Sequence, residues 1–127
     1  MRYLKTAIFL LFLFYLYAVL TTIRDRIIVY PRSGLASWYT ARQTASGEKF
    51  NSLALTCAMR DKDYGRRYRV CNKENGKCVV VRHNDWGPQK HLFNEGRIID
   101  LSKTAFLEIA DLKEGIIKVT VSLANKD

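Results

Sequence analysis

Two carboxylates end two apolar runs of this chain. Val79-Val80-Val81 opens a stretch that stops at Asn84-Asp85-Trp86-Gly87-Pro88, and Arg97-Ile98-Ile99 leads into Asp100. A carboxyl group fixed where a buried strand breaks into a loop can give or take a proton at a groove. The plainer role of Asp85 is to cap its Gly-Pro turn. That of Asp100 is to cap, with Ser102, the helix that follows. Glu48 lies in Thr44-Ala45-Ser46-Gly47-Glu48, a polar turn in which solvation alone accounts for a carboxylate. His83 precedes Asp85 by two, so on an unbroken strand the imidazole and the carboxylate share a face. His91 falls in a polar insertion and is expected to be exposed. Cys57, Cys71 and Cys78 lack the close C-x-x-C pairs of zinc sites. Neither a metal nor a cofactor is expected.

β-Branched and alternating runs predict strands at 34–39, 68–72, 77–82, 97–101 and 116–123, with 53–59 apolar but undecided. Within 97–101, Ile98 and Asp100 share one face, and Ile99 and Leu101 the other. Ser102 reads as the N-cap of a helix over 103–110 that carries apolar Ala105, Phe106, Ile109 and Ala110, and Gly115 closes that unit. Asn75-Gly76 marks a hairpin between 68–72 and 77–82. A four-residue loop sets Cys71 opposite Cys78, where a disulfide can form. A two-residue turn sets Cys71 opposite Val80 and leaves Cys57 as a rival partner. One cysteine is left over either way. Short strands, one small helix and Gly-marked turns indicate a mainly β protein built as a small barrel.

The chain has 127 residues, of which 48% are apolar, enough for one packed domain plus an appendage. The appendage is the N-terminus: after Arg2 and Lys5, no charge occurs through Ile23. That run is near the lower limit for crossing a hydrocarbon core. Its end, Tyr17-Ala18-Val19-Leu20-Thr21-Thr22, matches a signal-peptidase site poorly, which favours an uncleaved transmembrane anchor. The expected division is an anchor over 1–23, a linker over 24–33 and the barrel domain over 34–127. Arginines flank the run on both sides, so charge alone leaves the orientation open. The expectation is a barrel in the cell envelope, extracytoplasmic (periplasmic) and membrane-anchored, or secreted if the run is removed. Net charge is +9, and without Arg2 and Lys5 there are still 19 Lys and Arg against 12 Asp and Glu. Such a surface favours an anionic polymer or membrane face. No nucleic-acid-binding motif occurs, so nucleic acid is not an expected partner, and a monomer is expected.

Five segments, GLASWYT, TASGEKFN, LTCAM, YRVCNKENGKCVVVRHNDWGP and GRIIDLS, resemble the rare lipoprotein A family in order and spacing. The resemblance covers 34–123. Each motif alone is weak, whereas their combination is specific. It implies a six-stranded double-psi β-barrel, related to that of expansins, and lytic transglycosylase activity on bacterial peptidoglycan. In that reaction the MurNAc–GlcNAc bond breaks without water. The 6-hydroxyl of MurNAc closes on its own anomeric carbon and leaves a 1,6-anhydro ring. The leaving oxygen needs a proton and the 6-hydroxyl needs a base, and one carboxyl group can serve both in turn. The resemblance assigns that role to Asp85, with Asp100 and Glu48 completing the catalytic set. It groups Tyr39, Ser46, Met59, His83, Asn84 and Trp86 as substrate-binding residues. The donor must still hold its proton when the bond breaks, which calls for a dry or carboxylate-crowded groove.

Three positions depart from the family. Met59 stands where a histidine is usual, and a thioether cannot move a proton. Trp86 replaces an arginine, offering an indole that can stack on a sugar face. His83 occupies a usually apolar position, as a strand histidine or as a substitute for the missing imidazole. Two readings follow. One is a transglycosylase. The other is a non-catalytic, expansin-like module that grips peptidoglycan or another polysaccharide.

Overall fold

The computed structural model describes residues 1–26 and 30–125. Helix α1 (Arg2–Arg26) is apolar and exposed along Arg2–Ile23, a length and composition that can cross a membrane. Residues 27–29 of the expected linker lie outside the described residues.

Six strands close into one barrel: β1 (Arg32–Tyr39), β2 (Thr56–Met59), β3 (Arg67–Asn72), β4 (Cys78–Trp86), β5 (Arg97–Ser102) and β6 (Ile116–Leu123). Their order around the barrel is β1-β5-β2-β4-β3-β6. The pairs β1–β5 and β2–β4 are parallel, and the other four are antiparallel. The barrel begins two residues before the expected boundary. Arg32 and Ser33 pair with Val121 and Thr120, so the last two linker positions belong to β1. Without them the end of β6 would present unpaired backbone groups at the closure. The undecided stretch 53–59 ends in β2, buried at all four positions between β4 and β5. A strand buried on both faces shows no alternation, which is why its state was not legible.

Tyr68, Val70, Val81, Ile99, Leu101, Val119 and Val121 fill the interior. Helix α3 (Lys103–Ile109) lays Ala105, Phe106 and Ile109 on that core. Ser102 Oγ caps it by accepting from Ala105 N, and Ala110 turns extended one position before the expected end. The freed carbonyl of Ile109 accepts from the side-chain amides of Asn72 and Asn75, at 2.8 and 2.9 Å. This ties the β3–β4 hairpin to the helix. The hairpin takes the four-residue loop: Asn72 N donates to Lys77 O, Gly76 adopts φ 73°, and Cys71 faces Cys78. Cys71 and Cys78 are joined. Cys57 is free and buried, and burial pushes its thiol well above the ordinary range. Two short elements had no sequence signal: α2 (Lys90–Asn94) and a 3-10 turn (Leu112–Glu114). Each is too short to display a hydrophobic period.

Candidate active site

Asp85 and Asp100 lie in one row. Ala58 of β2 pairs with Asp85 of β4 on one side and with Asp100 of β5 on the other. Asp100 in turn pairs with Ser37 of β1. Residues paired directly across a ladder project to the same side of a sheet. The four strands therefore present Asp85, Ala58, Asp100 and Ser37 side by side. The two carboxylate-bearing Cα atoms are two strand spacings apart, about 10 Å. Ala58 contributes only a methyl group between them, and Gly87 covers it: a Cβ on Gly87 would stand 3.6 Å from Ala58 Cβ and 3.7 Å from Asp100 Oδ2.

The environments of the two acids differ. Asp85 is 9% exposed. Its Oδ2 accepts from the Tyr39 hydroxyl at 2.9 Å. Its Oδ1 accepts from the backbone amides of Ala45 and Trp86, both at 2.8 Å. Burial, then the bond to Asp85, pushes the Tyr39 phenol far above its ordinary value, so it remains a donor. Asp100 is half-buried and accepts one hydrogen bond, from Ser37 Oγ at 2.9 Å. Burial raises its carboxyl above the ordinary value of 3.8, Ser37 and Arg97 oppose the rise, and the charge of Asp85 adds to it. Ser102, not Asp100, caps α3.

His83 does not face the Asp85 carboxylate. Cys57 pairs with His83 but the next residue, Ala58, pairs with Asp85, so β4 carries one extra residue, Asn84, against β2. Such a bulge reverses the alternation beyond it. The His83 ring turns toward Tyr64 and Tyr68 and is 0% exposed. Its Nε2 lies 2.9 Å from the Asp85 carbonyl and 3.2 Å from that of Met59, and its Nδ1 lies 3.3 Å from Asp63 O. It is a brace between the ends of β2 and β4. Of the residues expected to bind substrate, His83, Met59 (1% exposed) and Asn84 (1% exposed) are buried.

The remaining candidates surround the row. The loop over 44–48 is laced to β4: Ser46 N donates to Asn84 O, and Ala45 N to Asp85. Ser46 is exposed, with its hydroxyl 2.9 Å from that of Thr44. Glu48 is engaged by Arg82, whose Nη1 lies 2.8 Å from Oε2, and by Asn84 Nδ2 at 3.4 Å. The Arg82 bond holds the Glu48 carboxyl below its ordinary value. Glu48 therefore stays ionised and is unsuited to donate a proton. Trp86 is exposed, with the Arg60 guanidinium 5.2 Å from its ring. Arg60 also lies 5.6 Å from the Phe93 ring and donates to Pro88 O at 3.0 Å. His91 is exposed, as expected.

Four further contributors come together only in the fold. Ser37 was legible in principle, since Ser37 and Tyr39 alternate onto one face of the Ser-Trp-Tyr strand. The Ala45 amide has no side-chain signature. Arg60 and Arg82 gave no signal because their partners are distant in sequence.

A closed six-stranded barrel with a carboxylate row across β4, β2 and β5 is the frame on which the comparisons fall. A family model described as lytic transglycolase matches residues 32–121. The chain belongs to that family, and its barrel is the double-psi type expected from the sequence. It is 44% identical over 96 residues to the "Probable endolytic peptidoglycan transglycosylase RlpA" of a Synechocystis species, across 72% of this chain and 29% of that protein. It is 35% identical over 104 residues to the "Endolytic peptidoglycan transglycosylase RlpA" of Neisseria meningitidis, across 79% of this chain and 42% of that protein. The chain thus spans less than half the length of these relatives. Among solved structures, the Streptomyces papain inhibitor (SPI) matches with a TM-score of 0.62 and 22% identity, over 77% of this chain and 97% of that one. A Clavibacter michiganensis expansin matches with a TM-score of 0.55 and 20% identity, over 77% of this chain and 52% of that one. These two likenesses concern the fold.

Proposed function

We propose that the barrel is a lytic transglycosylase domain that cleaves MurNAc–GlcNAc bonds of peptidoglycan and leaves a 1,6-anhydro end. The observation that carries this reading is the row Asp85–Ala58–Asp100 in a barrel of the lytic transglycolase family. Relatives at 35–44% identity bear the name of that activity. In the proposed reaction Asp85 protonates the leaving oxygen and then takes the proton of the 6-hydroxyl as the anhydro ring closes. Tyr39 and the two amides fix its orientation. Asp100, kept nearer neutrality by burial, limits the negative charge of the site. Trp86 and Ser46 form the exposed rim that meets the glycan. Helix α1 anchors the barrel to a membrane of the cell envelope.

The test is direct. The full chain is incubated with peptidoglycan sacculi and the products are analysed by mass spectrometry. Release of 1,6-anhydro muropeptides supports the reading, and binding without release at any pH sinks it. One observation favours the second reading, a module that grips glycan without cutting it. Among the described residues no imidazole touches either carboxylate, since Met59 carries none and the nitrogens of His83 face only carbonyls. Retention on sacculi with no product, from mildly acidic to mildly alkaline pH, is the result that reading expects.

A further inference from the structure

Strand β3 turns Tyr68 and Val70 into the core and Arg67 and Arg69 outward. Arg67 stands directly opposite Arg82 of β4, and Arg69 opposite Val80. Like charges placed opposite each other in a ladder repel. Arg82 is answered by Glu48. Arg67 and Arg69 pair with no carboxylate among the described residues, whose ion pairs are Arg32–Asp61, Arg66–Asp63, Arg82–Glu48 and Lys113–Asp111. Aliphatic side chains lie exposed beside the arginines: Val80 is 41% and Leu123 39% exposed. Two adjoining clefts of about 330 and 270 Å³ both have Arg67 and Val80 in their walls. The face therefore combines unpaired guanidinium groups with exposed aliphatic surface.

We propose that this face of β3 and β4 docks on an anionic lipid bilayer, the one to which α1 ties the barrel. Guanidinium groups bind headgroup phosphates, and aliphatic side chains enter the boundary with the acyl region. A polyanion in solution would match the charge but give Val80 and Leu123 no partner. The tether favours the bilayer independently. From Ile23, the end of the apolar span, to Tyr30 is seven residues, a reach of at most about 25 Å. The chain joins the barrel at an end that this face borders. The Tyr30 ring packs 5.6 Å from that of the inward-pointing Tyr68, and Leu123 lines a cleft with both. Arg32 pairs with Val121, and Val121 with Val70, so the start of β1 is two strand spacings, about 10 Å, from β3. The inference rests on the anchoring role proposed for α1.

The experiment uses the full chain in lipid nanodiscs of phosphatidylcholine alone or mixed with phosphatidylglycerol. A spin label is attached at Ser122→Cys, since Ser122 pairs with Arg69 on the outer face. Cys57 is buried and the other two cysteines are joined, so only the new thiol reacts. The readout is relaxation of the label by a paramagnetic headgroup lipid. Strong relaxation is expected in the acidic discs and weak relaxation in the neutral ones, and the difference is lost at about 1 M salt. Each arginine near an anionic surface is worth roughly fivefold in docked population. Arg67→Gln with Arg69→Gln should therefore reduce docking roughly 25-fold while thermal unfolding stays unchanged. Equal relaxation in both discs, or in the double variant, overturns docking and leaves the anchor standing. Salt-sensitive capture by acidic discs, with no entry into neutral ones, overturns the anchor and leaves docking standing. A chain held by neither overturns both.

Discussion

Asp85→Asn separates proton transfer from structure because of how Asp85 is held. Its carboxylate accepts three hydrogen bonds, from Tyr39 Oη and from the amides of Ala45 and Trp86. Asparagine keeps the shape. Its Oδ1 still accepts from both amides, and its Nδ2 meets the Tyr39 hydroxyl, which turns from donor to acceptor. Hydrogen bonds to an ionised acceptor contribute about 1.5–3 kcal/mol and neutral ones about 1. Three bonds, each weakened by about 0.5–2 kcal/mol, thus cost about 1.5–6 kcal/mol. Burying a neutral amide in place of a carboxylate returns part of that, leaving a net loss of a few kcal/mol. Each kcal/mol is about 4–8 °C in Tm for a domain of this size, so the assay is run below the lowered Tm. Loss of a general acid and base removes about 10²–10⁴ in rate. The assay is the initial rate of 1,6-anhydro muropeptide release from sacculi, with circular dichroism and Tm measured on the same preparation. A folded variant that keeps more than about a tenth of the rate would show that Asp85 does not carry the proton.

Asp100 gives a pH-dependent stability. Its carboxyl is raised above 3.8, chiefly by burial, so the wild type has the full benefit below 3.8 and loses it as pH rises through the raised value. Asp100→Asn never ionises, so its stability relative to wild type should climb with pH through that window and then level off. Denaturant unfolding at a series of pH values reads this, and a flat difference refutes it. Tyr39→Phe removes one donor from Asp85 and leaves two, so turnover should fall about tenfold with little change in Tm. Undiminished turnover would remove Tyr39 from the site. Arg60→Ala strips the guanidinium from the Trp86 ring, and KM for glycan should rise about two- to fivefold with kcat held. Arg60→Lys should recover little, because the flat guanidinium does the stacking, and an unchanged KM in both variants would refute the platform. Replacing Cys71 and Cys78 together by Ser should cost about 2–3 kcal/mol. These residues lie at the far end of β4 from Asp85, so activity per folded molecule should be unchanged.

What the sequence made legible depended on whether the cue was local. Val70, Val79, Val81, Ile99, Val119 and Val121 alternate or cluster in runs that spelled out strands, and Ser102 announced its helix. The register of the hairpin was open between two loops. The structure chose the four-residue one, in which Asn72 and Asn75 reach the end of α3, a contact no local rule could supply. Strand β2 was obscured because its two faces are equally buried. Asp85 and Asp100 were legible as strand-ending acids, but their alignment through Ala58 depends on parallel and antiparallel pairings far apart in the chain. Glu48 was legible as an acid but not as the partner of Arg82, whose guanidinium holds its carboxyl below the ordinary value.

The single extra residue at Asn84 explains why His83 and Asp85, two apart in sequence, do different work. Without the bulge, alternation would set the imidazole beside the carboxylate and bury both or expose both. With it, His83 enters the core and spends its nitrogens on the carbonyls of Met59, Asp63 and Asp85, while the Asp85 side chain emerges where Tyr39 and the 44–48 loop can hold it. The imidazole thereby fixes the backbone that aims the acid without touching the acid's oxygens. This yields a contrast between two ways of losing His83. His83→Gln, which can still hydrogen-bond a carbonyl, should retain most activity. His83→Leu fills the space but takes the imidazole away from the buried Asp85 carbonyl, at about 1–3 kcal/mol, and leaves Met59 O with the Gly87 amide alone. It should lower Tm and turnover together, because the end of β4 loosens. If His83 acted instead on the Asp85 proton, the two substitutions would abolish turnover equally, and the pH profile of whatever rate remained would shift in both.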